Sequence, residues 1–193
     1  PPQAECVVRV SAEEAKAALT ASGFLAPEYE VSSDDAGAKI VAHGVASHAA
    51  APEHGKSAIF MLADALEKAG LVGGASLKAV QAIRFFAQGC YGEHMGVACE
   101  DPDTGKTTMT VGVARTYGDE IELHADCRLS VAANPAQMAA RFEEAARNAG
   151  LDVIETKTTD PVFIEKTDPR VQALQKAYFE MTGDDCPPYT MGG

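Results

Sequence analysis

His48 and Arg128 are the residues whose type and setting best suit them to act on a ligand. His48 stands between Gly44 and Ile59, where a strand-like run through Lys39, Ile40, Val41 and Ala42 gives way to a helical pattern. Small residues keep the chain close around Ser47 and His48, and Pro52 with Gly55 shape a turn. A corner on rigid supports can aim a side chain outward, and an imidazole can donate, accept or carry a proton near neutral pH. The same description also fits a surface histidine without chemistry. Arg128 lies on a run in which Ile121, Leu123, Ala125, Cys127 and Leu129 alternate with Glu122, His124, Asp126, Arg128 and Ser130. A guanidinium fork matches a carboxylate in shape and charge, whereas an ordinary antiparallel sheet also shows such a polar face to water.

Metal and thiol chemistry have weaker support. The five histidines form no HExxH motif, and His43, His48 and His54 share a loop region without a carboxylate in a ligand pattern, so no metal site is expected in the chain. The five cysteines, Cys6, Cys90, Cys99, Cys127 and Cys186, are odd in number, scattered and free of CxxC pairs. They read as reduced thiols of a cytoplasmic protein, and no Cys–His pairing marks a thiol enzyme.

The elements that must position these residues belong to a chain of 193 residues, long enough for a large core. An apolar fraction of 46% beside 23% charged residues is that of a globular protein rather than a disordered tail. The formal charge of −12 disfavours nucleic acid as a partner. Apolar runs stay well short of the roughly 20 residues that span a bilayer, so no membrane partner is expected. The opening Pro1-Pro2 and the closing Met191-Gly192-Gly193 suggest a fragment of a longer protein.

Alternation in Cys6, Val8 and Val10 predicts a strand, and Ser11 with Glu14 forms a capping-box pattern ahead of a helix to about Ser22. Two strands, Glu28 to Val31 and Ala38 to Val45, flank the turn around Asp34. Ile59, Leu62, Ala63, Leu66 and Ala69 then recur at helical spacing, and a further helix is expected from Leu77 to about Gln88. Gly89 to Asp103 carries no clear pattern beyond one helical turn. Thr107 to Thr116 and Glu120 to Val131 read as a hairpin, Asn134-Pro135 caps a helix to Ala149, and Leu151 to Thr156 alternates as a strand. Val162 to Ile164 reads as a short extended run, and Asp168-Pro169 caps a last helix through Met181. The expected fold class is α+β: a ferredoxin-like antiparallel sheet sandwich with helices on one face, enlarged by a second related α+β unit. The expected boundaries are residues 1–88 and 89–158 for the two units, with 159–193 as a separate return segment.

The order of these motifs resembles a known family. Ser47-His48, Pro52, Gly55 and Ala58 are similar to the S-H-x-x-x-P-x-x-G-x-x-A segment in the lid domain of the dizinc aminoacylase and carboxypeptidase superfamily. Met191-Gly192-Gly193 resembles the start of the G-G-G-T-Y-A-R stretch of PepV-type (Xaa-His, carnosinase-like) dipeptidases, and Pro1 to Glu5 resembles the residues after the N-x-V-P approach to that lid. Ser57 stands where the family often has Asn. The resemblance implies that residues 1–158 are the lid of a zinc-dependent dipeptidase and that 159–193 lead back toward a catalytic domain. That domain would hold two zinc ions, with ligands supplied by sequence outside this chain.

By the same resemblance, His48 donates a hydrogen bond to the scissile carbonyl oxygen, Arg128 binds the carboxylate of a small peptide, and the backbone of Gly192 and Gly193 contacts that carboxylate. The enlarged lid implies a parent able to act as a monomer, and the fragment alone is expected to be inactive. The alternative is a free-standing ferredoxin-like module that binds an amino acid or has a regulatory role, which rests on fold analogy.

Overall fold

The computed structural model describes residues 1–160 and 162–190, and its architecture is α+β. Strand β1 (Gln3–Val8) leads into helix α1 (Ala12–Ala21), then β2 (Tyr29–Asp34), β3 (Gly37–His43) and α2 (Ala58–Lys68). The three strands form an antiparallel sheet in the order β1-β3-β2. Alternation sorts its two faces. Val8, Tyr29, Ala38, Ile40 and Ala42 turn inward against Ala15 and Leu19 of α1 and Met61, Leu62 and Leu66 of α2. The other face carries the pairs Lys39–Glu5 and His43–Glu30. Both helices therefore cover one side of the sheet, and water covers the other.

Helix starts follow their caps. Ser11 and Glu14 form the reciprocal capping box, and Ser57 accepts from the Phe60 N–H at the start of α2. Helix α3 (Gly74–Ala87) begins three residues before the expected Leu77, because Gly74, Ala75 and Ser76 carry no apolar period that would announce a first turn. Arg84 of α3 bonds to Asp64 at 2.8 Å and Glu67 at 3.2 Å, tying α3 to α2.

The region expected to be irregular holds a short 3₁₀ turn, Glu93–Met95, and a tight hairpin of β4 (Glu100–Asp101) and β5 (Gly105–Lys106). The long hairpin is β6 (Thr108–Tyr117) with β7 (Glu120–Arg128), and its register shifts between Val111 and Val113. Helix α4 (Pro135–Asn148) follows its Asn134 cap. Ile59, Phe86, Met95, Val97, Met109, Val111 and Ala146 make a second buried cluster.

Residues 151–156 form no strand. Leu151 and Val153 pack against the second cluster as their alternation requires, but their backbone meets no partner strand. A period of two selects which side chains turn inward; it does not supply a neighbouring edge. Val162 to Ile164 likewise joins no sheet, and α5 (Pro169–Thr182) starts at its Asp168 cap but buries none of its residues. Among the described residues, no helix is long and apolar enough to cross a membrane.

Candidate functional site

The His48 corner is a closed loop. Val45 and Lys56 exchange two backbone hydrogen bonds of 2.9 Å at its neck. A Cβ on Gly44 would overlap the Lys56 carbonyl oxygen, and one on Gly55 would overlap the Ser47 hydroxyl. These close approaches explain the two glycines of the segment. Ser47 fills the space beside Gly55 and donates to the Pro52 carbonyl at 3.4 Å. The serine, proline and glycine of the motif are therefore parts of one folded turn.

At the tip of the loop, the Ala51 N–H bonds to the His48 carbonyl at 2.9 Å, and the Ala50 N–H donates to His48 Nδ1 at 3.1 Å. An Nδ1 that accepts places the proton of the neutral ring on Nε2. His48 is exposed, so its ring offers an Nε2–H donor to solvent. The tip touches the long hairpin where the Thr108 hydroxyl donates to the Ala49 carbonyl at 2.7 Å.

Thr108 pairs across the hairpin with Arg128, so the backbone of the His48 loop is tied, at Ala49, to the strand neighbour of Arg128 at one end of β6 and β7. Arg128 is held by Asp126, with Nε to Oδ1 at 2.7 Å and Nη2 to Oδ2 at 3.0 Å. Beyond it, Ser130 N–H bonds to Thr107 Oγ1 at 3.1 Å and Val131 N–H to Thr104 Oγ1 at 3.0 Å. Thr104 in turn donates to Asp101. This hydroxyl, together with the Thr104 and Asp103 N–H groups, pulls the Asp101 carboxyl down to about 2. Arg128 thus sits on a strand end whose continuation is fixed by three side chains of the β4–β5 region.

A cleft of about 650 Å³ opens beside this strand end, lined among others by Ala50, Lys106, Thr108, Cys127, Arg128 and Phe142. Residues 155–160 run along it, and Thr156 donates to Glu143 of α4 at 2.9 Å. A second depression, about 770 Å³ between α3 and α4, contains neither His48 nor Arg128, so its size gives it no claim on their chemistry.

The histidines do not converge. His43 pairs with Glu30 on the outer sheet face, His54 lies 4.0 Å from Glu53, and His48 caps its own turn. The His-x-Asp spacing of His124-Ala125-Asp126 is divided between neighbours, since His124 bonds to Glu122 and Asp126 to Arg128. Among the described residues, no group of three or more His, Cys, Asp or Glu side chains is arranged to hold a metal ion. The two zinc ions implied by the resemblance have no fitting donor set here. Gly192 and Gly193 lie outside the described residues. Sequence reasoning missed Thr108, because a threonine at the start of a strand has no local signal for a partner 59 residues away.

No protein-family model matches the chain. Over 112 residues, 57% of the chain, it is 30% identical to a protein of Staphylococcus saprophyticus named a "putative dipeptidase", of which it covers 24%. A protein of the same designation from Staphylococcus haemolyticus is 31% identical over 112 residues, again 57% of this chain and 24% of that protein. One from Staphylococcus aureus strain USA300 is 28% identical over 156 residues, 80% of this chain and 33% of that protein. The chain is thus related over more than half its length to proteins with a dipeptidase designation, and it spans about a quarter to a third of their length.

Proposed function

We propose that this chain is the lid of a PepV-type dipeptidase, and that it binds the peptide and stabilises charge at the scissile carbonyl. The observation that carries the reading is the exposed His48 ring, whose Nδ1 accepts from the Ala50 N–H and whose loop is tied at Ala49 to Thr108, the cross-strand partner of Arg128. An N–H donor held in place before reaction suits an oxygen that gains negative charge as the amide carbonyl becomes tetrahedral. His48 would hold its proton on Nε2 and donate to that oxygen. Arg128, oriented by Asp126, would take the terminal carboxylate, and the adjoining cleft would receive the rest of a short peptide.

The two buried clusters support a division of the lid near residue 88, with α2 and α3 reaching both. The apolar residues left exposed on α5, among them Leu174 and Met181, support residues 159–193 as a segment that returns to a catalytic domain. That domain would hold the pair of zinc ions the resemblance implies, and the isolated chain would be inactive. The relatives' dipeptidase designation and their greater length agree with this arrangement. The parent would be cytoplasmic and able to act as a monomer.

The test uses the full-length protein that contains this chain. His48→Ala is expected to lower turnover of dipeptides about a hundred- to a thousandfold while bound metal stays unchanged. Arg128→Ala is expected to raise KM about tenfold or more, the scale of a lost charge-assisted hydrogen bond. Loss of bound metal in His48→Ala contradicts the role assigned to the imidazole.

A further inference from the structure

Residues 46–51 are shaped mainly by their own contacts: Ser47 reaches Pro52, Ala51 reaches the His48 carbonyl, and Ala50 reaches the His48 ring. Such bonds define the form of a turn but not its place on the molecule. Among the described residues, the hydrogen bond that ties this segment to the long hairpin is donated by Thr108. Thr108 is 5% exposed, and a buried hydroxyl requires a partner, which the Ala49 carbonyl supplies. Its cross-strand partner is Arg128. From the imidazole to the guanidinium, the path therefore runs through one peptide unit, one hydrogen bond and one strand pair, with the two paired Cα atoms about 5 Å apart.

We infer that Thr108 is a positioning residue: by holding the Ala49 carbonyl, it sets the distance between the His48 donor and the Arg128 fork. This deepens the reading of His48 and Arg128 given above and rests on it. Valine has nearly the same shape as threonine without the hydroxyl. In Thr108→Val the Ala49 carbonyl loses its partner and the turn is released, while Thr108→Ser keeps the donor.

Two readouts separate position from fold. In the chain itself, hydrogen exchange at the Ala50 and Ala51 amides reports whether the turn is held, since these N–H groups bond to His48. Thr108→Val is expected to speed that exchange about fivefold while amides inside the β6–β7 ladder keep their protection, and Thr108→Ser is expected to match the native chain. In the full-length protein, Thr108→Val is expected to lower kcat about tenfold with KM little changed, and Thr108→Ser to restore it.

Native exchange rates at Ala50 and Ala51 in Thr108→Val overturn the inference, as does loss of protection throughout the hairpin. Unchanged kcat in Thr108→Val beside a lowered kcat in His48→Ala also overturns it, and leaves the functional reading standing. Unchanged turnover in His48→Ala overturns the functional reading, and the inference with it.

Discussion

Around Ile40 the chain is held mainly by burial, with the Tyr29 hydroxyl donating to the Met61 carbonyl; around Met109 it is held by burial and by a chain of polar ties at the hairpin end. The first region closes Ala15, Leu19, Ala38, Ile40 and Ala42 to 1% exposure or less under two helices. The second packs Phe86 and Val97 against Met109 and Val111 of a two-stranded hairpin, then fastens the end of that hairpin through Thr104, Thr107 and Asp101. Apolar contact is nondirectional and tolerates small shifts of a backbone, whereas a hydrogen bond fixes a distance and an angle. At the strand end that bears Arg128, geometry is thus specified by several linked side-chain hydrogen bonds. A scaffold and a site can share one chain when α2 and α3 contribute to both clusters, as Leu62, Ile59 and Ile83 do.

The largest expected effect tests whether the two regions stand or fall together. Phe86→Ala removes a nearly buried ring from the second cluster and is expected to cost about 3–5 kcal/mol. Because α2 and α3 span both clusters, denaturant unfolding followed by amide exchange is expected to show β1–β3 weakened together with the hairpin. Unaltered protection in β1–β3 would separate the regions.

A smaller effect, confined to the second region, is expected in acid. The folded Asp101 carboxyl lies near 2 against an ordinary 3.8, so its contribution is complete above that ordinary value and is lost as the pH falls through about 2. The amide signals of Thr104 and Val131 should titrate together with a midpoint near 2 by NMR, and a midpoint near 4 would remove the tie from the comparison. The smallest effect is expected in neither region. Leu174→Ser on α5, where Leu174 is 72% exposed, is expected to change the stability of the chain by less than about 0.5 kcal/mol in the same unfolding measurement.

Much of this arrangement was legible in local pattern. Ser11, Asn134 and Asp168 marked helix starts, because a cap needs only a side-chain oxygen and a nearby N–H. The alternation from Glu120 onward marked β7, although Ala125 and Cys127 of its apolar set are exposed at the cleft. The same pattern misled at Leu151 to Thr156, where inward side chains did not bring a strand partner. His48 and Arg128 were visible as candidates by type, turn and strand position, but Thr108 and the cleft were not.

The sequence by itself determined the helix caps and the inward faces of the strands, since each depends on residues within a few positions of one another. Tertiary structure alone decided that the loop meets the hairpin at Thr108, that Arg128 stands across from that contact, and that the β4–β5 hairpin pins the chain beyond it. Those contacts join residues far apart in the chain, and a hydroxyl or a carbonyl carries no mark of which distant partner the packed cores will bring within 3 Å.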